Sequence, residues 1–322
     1  MAYWPAKGSR TERRPAVFLL AGLAALLAAT WGCDRRPAAA AAPTPAAAAP
    51  QRIVSLAPSI TEMLFDLGLG AQVVGVTSFC DYPPEALSCA KVGGLLDPNI
   101  EAVMALRPDL VVLFESNTAV LTSLQALRIP VLTVQGDTME QVLAAIGTIA
   151  ERCGCHERGA RRVRELRERI AAVAGAPRPT PPPRVLVSIG RTLGSGKLQD
   201  VYVAGEDGFF SELIRLSGGC NACPEKTIRF PLVSAEGIIE MRPDAIIELA
   251  ADLERLALTP AGIVREWQVV RDLPAVRDGR VYVFTEDYVT VPGPRFVLLL
   301  EKMAAVMRQV RPAAGARPEG SP

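Results

Sequence analysis

The sequence contains one histidine, His156, in 322 residues. A Ser-His-Asp triad needs an imidazole beside its nucleophile, and a multi-histidine metal centre needs several. His156 stands among charges in a helical stretch, so neither chemistry is expected. A nucleotide fingerprint is also missing. Gly190-Arg-Thr-Leu-Gly194-Ser-Gly196 follows a strand pattern, but its spacing is wrong and no helical pattern follows it. Charge of one sign is lacking too: 35 Lys and Arg face 34 Asp and Glu, so no overall pull toward nucleic acid exists. The densest basic run, 158–169, is interleaved with Glu165 and Glu168 and reads as a solvated helix face. Aromatic residues make up only 5% of the chain, so their clustering at strand ends carries information.

Long apolar runs are also scarce. The one near the N-terminus, 15–31, follows Lys7, Arg10, Arg13 and Arg14 and stops at Gly32-Cys33-Asp34. A basic start, a short apolar stretch and a small residue before the cut describe an export signal. A Cys directly after that small residue resembles a bacterial lipoprotein signal, in which Cys33 becomes the lipidated mature N-terminus. A plain signal peptide or a retained anchor is the alternative. Residues 34–50, DRRPAAAAAPTPAAAAP, are too poor in large apolar groups to form a core and read as a tether. The chain therefore reads as 1–33 signal, 34–50 tether and a body on the periplasmic side or cell surface, lipid-anchored through Cys33.

Of seven cysteines, six remain after Cys33, an even number that suits an oxidising compartment. Cys80 with Cys89, and Cys220 with Cys223, are candidates for short-loop disulfides. Cys153-Gly-Cys155 strains bridge geometry, and its pairing stays open. Cys220-Asn-Ala-Cys223 also has the spacing of a redox dithiol, but lacks a thioredoxin-like setting. A zinc site joining Cys153, Cys155, Cys220 and Cys223 is the remaining alternative, which export to an oxidising compartment disfavours.

From Ile53 onward, strand and helix patterns alternate, as in a parallel α/β sheet with sites at strand C-terminal ends. Ser59 and Glu62 have capping-box spacing, as do Thr138 and Gln141. Residues 51–137 form one lobe and 184–310 a second. Between them, 138–178 hold helices, including one from about 156 to 173 long enough to cross between lobes. Residues 311–322 read as a disordered tail. The fold class is α/β, two lobes with parallel-type sheets joined by one long backbone helix.

One phrase occurs twice. NIEAVMALRPDLVV at 99–112 returns as SAEGIIEMRPDAII at 234–247, without a gap. Glu101 meets Glu236, and Arg107-Pro108-Asp109 meets Arg242-Pro243-Asp244. This predicts two related lobes. At the mouth of the first, GVTSFCDYPPEA places Phe79, Asp81 and Tyr82 on a loop stiffened by Pro83-Pro84, suited to a large, partly apolar ligand. At the mouth of the second, TEDYVTVPGPRF places Tyr288 where it can face Tyr82. Phe114 at a strand end, with Arg191 and Arg295 as polar groups, completes the candidate ligand site.

RIVSLAPSITEMLFDLG, GVTSFCDYPPEA, VGGLLDPNIEAVMALRPDLVV, Gly218-Gly219 and VSAEGIIEMRPDAII resemble the substrate-binding proteins of ABC importers. The class is the one with a helical backbone between lobes, which serves vitamin B12, ferric siderophores and haem. The DYPPEA loop is most similar to its cobalamin-binding members, although Leu95 stands where some of those carry an aromatic residue. The resemblance implies a monomer that binds a corrinoid between its lobes and delivers it to a permease dimer. It implies no catalysis and no cofactor. It also implies that Glu101 and Glu236 dock with arginines of that dimer. The alternatives are a ferric-siderophore or haem binder of the same class, an exported thiol oxidoreductase using Cys220 and Cys223, and a structural envelope lipoprotein.

Overall fold

The computed structural model describes residues 49–251 and 253–310. The predicted signal, Cys33, most of the tether and the 311–322 tail lie outside the described residues.

The first lobe runs β1 (Ile53–Ser55), α1 (Pro58–Asp66), β2 (Val73–Val76), β3 (Ala90–Lys91), α2 (Ile100–Ala105), β4 (Leu110–Phe114), α3 (Thr118–Ala126) and β5 (Val131–Val134). Its sheet is parallel throughout, in the order β3-β2-β1-β4-β5. Side chains alternate across a strand, so a central strand covered on both faces must be apolar at every position. Accordingly Ile53, Leu110 and Val112 enter one apolar cluster, and Val54, Val111 and Leu113 another.

α1 departs from expectation. Pro58 occupies its first turn and no side chain caps it. Proline at that place needs no N–H partner and has a helical φ already set, so the helix starts ahead of Ser59. Ser59 and Glu62 are then buried within it, and Glu62 is turned to another use described below.

Two helices follow, α4 (Met139–Arg152) and α5 (His156–Ala174). The Thr138 hydroxyl accepts from the Gln141 N–H at 3.2 Å, and the Gln141 side chain accepts from the Asp137 N–H at 2.9 Å. Gly154, at φ +68°, turns the chain between the helices in a conformation that favours glycine. α5 lies so close to α4 that a Cβ on Gly159 would stand 2.3 Å from that of Ala150.

The second lobe contains β6 (Arg184–Gly190), β7 (Val201–Val203), α6 (Phe209–Leu216), β8 (Cys220–Asn221), β9 (Leu232–Val233), α7 (Ala235–Met241), β10 (Ala245–Leu249), α8 (Pro260–Glu266), α9 (Pro274–Arg277), β11 (Val281–Phe284) and α10 (Phe296–Met307). Its sheet order is β11-β10-β6-β7-β9, with β8 also beside β6. This sheet is mixed, not wholly parallel: β7 runs antiparallel to both β6 and β9. The cause is local, because loop 191–200 returns the chain to the sheet without a crossover helix.

α5 joins the lobes. Arg162 pairs with Asp66 of α1 at 2.6 Å, while Arg169 pairs with Glu301 of α10 at 2.8 Å. The basic run is therefore a solvated face only in part. Beneath it one apolar cluster continues through both lobes, from Ile53 and Ile146 by way of Leu166 to Phe296 and Met303. Lobes that share a core cannot separate without exposing it.

Candidate functional site

The loop after β2 is held from below by Cys80, which is fully buried. Its Sγ lies 3.2 Å from the Thr61 hydroxyl and 3.1 Å from that of Thr77, and Lys91 Nζ donates to its carbonyl at 2.8 Å. With its base anchored, the loop leaves Phe79 62% and Tyr82 40% exposed, and Asp81 exposed as well. The Cys80–Cys89 bridge is not formed. Cys89 Sγ instead faces the Val73 carbonyl at 3.4 Å. Cys220 and Cys223 are also unbridged. Cys223 is buried and its thiol is pushed up by that burial, the opposite of an activated redox cysteine. Among the described residues no cluster suited to a metal ion occurs.

Across from Tyr82 lies the loop after β11. Arg295 reaches over to the first lobe and donates to Glu62 Oε1 at 2.7 Å and Oε2 at 3.1 Å. It also donates to both oxygens of Asp287, at 2.8 and 2.9 Å. Its guanidinium stacks 3.4 Å above the centre of the Tyr82 ring, and the Tyr288 ring lies 5.5 Å away. Tyr82 and Tyr288 are thus brought together as predicted, but with an arginine against both. Burial pushes the Glu62 carboxyl above its ordinary range, and Arg295 draws it back. Tyr288 is also pushed up, chiefly by burial.

Phe114 ends β4 and lines a recess of about 260 Å³ with Glu115, Gln135, Gly136 and Asp137. At its rim Asp137 pairs with Arg229 of the second lobe at 2.6 Å, and the Met139 N–H donates to Glu212 of α6 at 2.7 Å. A recess of about 860 Å³ lies along α1 and β2, with Tyr82 and Arg295 among the residues at its wall.

Arg191 is turned away from the rim where the sequence places it. Its side chain is wholly buried, donating to Glu248 at 3.0 Å and Glu266 at 2.6 Å. Glu248 also accepts from Ser188 and Trp267, and Glu266 from the Gly196 N–H at 2.9 Å. The arginine fastens loop 191–200 to the lobe. Burial pushes Glu248 up, against the pull of Arg191. An Arg after a strand reads as facing the mouth; its two acids lie 57 and 75 residues away and carry no local signal. Glu62, Asp137 and Arg229 were missed for the same reason.

Glu101 and Glu236 stand exposed at the starts of α2 and α7. A hydrogen bond at its own backbone N–H and one from Ser234 hold Glu236 below the usual carboxylate range.

Residues 53–288 match the periplasmic binding protein family. The chain belongs to that family. A vitamin B12-binding protein of Pectobacterium atrosepticum is 27% identical over 275 residues, 83% of this chain and 92% of that one. A cobalamin-binding protein of Halobacterium salinarum is 31% identical over 265 residues, 79% of this chain and 69% of that one. Among solved structures, the periplasmic heme-binding protein RhuT from Roseiflexus sp. RS-1 superposes with a TM-score of 0.69 at 29% identity, covering 80% of this chain and 98% of its own. The vitamin B12-binding protein BtuF of Vibrio cholerae gives 0.68 at 24%, covering 81% and 97%, a likeness of fold. The two solved structures share the two-lobed α/β architecture described above.

Proposed function

We propose that this chain is the extracytoplasmic receptor of an ABC importer and that its ligand is cobalamin or a related corrinoid. The observation that carries this reading is the pair of cobalamin-named relatives, whose similarity extends over about four fifths of the chain and so over both lobes. The rim supports it. Phe79, Tyr82, Phe114 and Tyr288 supply apolar surface for a large ring, with Asp81 and the paired Arg295 beside them. The protein binds and releases, without catalysis or cofactor, and works as a monomer held to the membrane through Cys33. Glu101 and Glu236 dock on arginines of the permease dimer, setting register more than affinity.

Ferric haem is the second reading, favoured by the heme-binding relative of the same fold and by an exposed phenol, Tyr82, stacked on a cation. A ferric siderophore needs free cationic groups, whereas Arg295 is already shared between two carboxylates.

Calorimetric titration of the purified protein with cyanocobalamin, haemin and ferrichrome tests these readings. Submicromolar binding of cyanocobalamin alone is expected. Binding of haemin alone, with a Soret band, would replace corrinoid by haem and leave the importer role standing.

A further inference from the structure

α2 and α7 are one piece of structure made twice. Asn99 accepts from the Ala102 N–H at 2.9 Å, and Ser234, 135 positions on, accepts from the Gly237 N–H at 3.3 Å. Past the helices, Arg107 and Arg242 both hold left-handed backbone, at φ 47° and 44°. The residue buried from each helix is also equivalent, Val103 in one and Ile238 in the other. These likenesses all serve folding.

A further one does not. Met104 is 47% exposed and Ile239, its equivalent, 48%. Neither joins the apolar clusters that Val103 and Ile238 enter. One exposed apolar side chain is ordinary. Two at equivalent places, each on the same helix face as an exposed carboxylate three residues earlier, form a duplicated surface of fixed composition. A single chain that shows one surface twice can satisfy both copies at once only on a partner that also offers its own surface twice.

We propose that Met104 and Ile239 are the apolar halves of two equivalent docking sites, completed by Glu101 and Glu236. The partner is a two-fold symmetric membrane permease that presents, on each half, a basic side chain beside an apolar socket. This rests on the importer reading and adds a division of labour to it. The carboxylates steer encounter and fix register, while the apolar pair is buried on contact and holds the complex. Glu240, where the first copy has Ala105, adds a second carboxylate to one site only.

The test measures binding of the full chain to its cognate importer in lipid nanodiscs, at about 0.05 and 0.5 M salt. Met104→Ser with Ile239→Ser should weaken docking at least about tenfold, mainly through faster dissociation and at either salt concentration. Thermal stability and cyanocobalamin affinity should not change, and Met104→Leu with Ile239→Val should dock as wild type. Glu101→Ala with Glu236→Ala should slow association and remove its salt dependence. If the serine pair docks normally while the alanine pair fails, the apolar assignment falls and carboxylate docking stands. If the alanine pair docks normally, the docking reading itself falls, and this inference with it. Loss from only one serine substitution overturns the two-site form. Binding of wild type to protein-free nanodiscs, lost in the serine pair, would assign the surface to lipid instead.

Discussion

Asp109 and Asp244 do the same work in the two lobes. Asp109 accepts from the N–H groups of Gln51 and Arg52 at 2.8 and 2.9 Å, and Asp244 from the N–H of Arg184 at 2.9 Å. Each carboxylate thereby fastens the chain where the first strand of its lobe begins. The arginine at that place answers in kind: Arg52 donates to the Leu106 carbonyl at 2.7 Å and Arg184 to that of Met241 at 3.0 Å, closing the ends of α2 and α7. The repeated Arg-Pro-Asp phrase is thus a lobe-building device, while Glu101 and Met104 before the first copy, and Glu236 and Ile239 before the second, stay exposed.

Breaking the contact between lobes should cost stability. Arg295→Ala leaves Glu62 buried without its partner, so about 3 kcal/mol should be lost in urea denaturation. Arg295→Lys keeps the charge but loses the paired hydrogen bonds and the stacking on Tyr82, and should fall between the two. An unchanged midpoint would show that the shared core alone holds the lobes.

Arg191→Ala should destabilise the second lobe by about 3–5 kcal/mol, because Glu248 and Glu266 would be left buried without a cation. Cyanocobalamin affinity of the folded fraction should match wild type. A variant that folds normally but loses ligand would return Arg191 to the binding site.

Tyr82→Ala should weaken cyanocobalamin binding by about tenfold or more, and Tyr82→Phe should retain it, the outcome for a corrinoid that packs on the ring and makes no use of the phenol. Loss in Tyr82→Phe, read by calorimetry, would instead point to oxygen ligation of iron.

Burial, with Cys155 beside it, pushes the Cys153 thiol from 9.0 up to about 11. The folded value lies above the unfolded one, so its contribution to stability is complete below about pH 9 and is lost as pH rises toward 11. The loss is on the order of 2 kcal/mol. Cys155 is pushed up by burial as well, so Cys153→Ala should flatten the alkaline limb of a melting-temperature profile only in part. A wild-type profile that is flat to pH 11, with a mass two hydrogens lower, would mean that the two thiols are bridged.

Backbone flexibility between lobes should be small. Ligand-free and cobalamin-bound crystals should superpose over both lobes with little rotation, because α4, α5 and α10 share one core. A wide hinge opening between the two would contradict that.

Much of this protein was legible in its sequence. Strand 73–76, strand 110–114, the break at Cys153-Gly154-Cys155 and the repeat at an offset of 135 all follow from signals within a few residues: apolar runs, caps and a glycine turn. The same holds for the place of the aromatics Phe79, Tyr82 and Tyr288, which sit on loops just past strands. Pairings over long separations were not legible. A helix-start signal at Ser59 and Glu62 was overridden when Pro58 began the helix and a residue 233 positions away claimed Glu62. Arg191 was drawn inward by two distant acids, and β7 turned antiparallel because its loop was too short for a crossover. Cys80 found two hydroxyls and Cys89 a carbonyl in place of each other. Local order was written in periodicity and caps, which act over one or two turns. Which charge meets which, and which side chains stay exposed, was decided only when packing brought distant segments together and burial left each charge needing a neighbour.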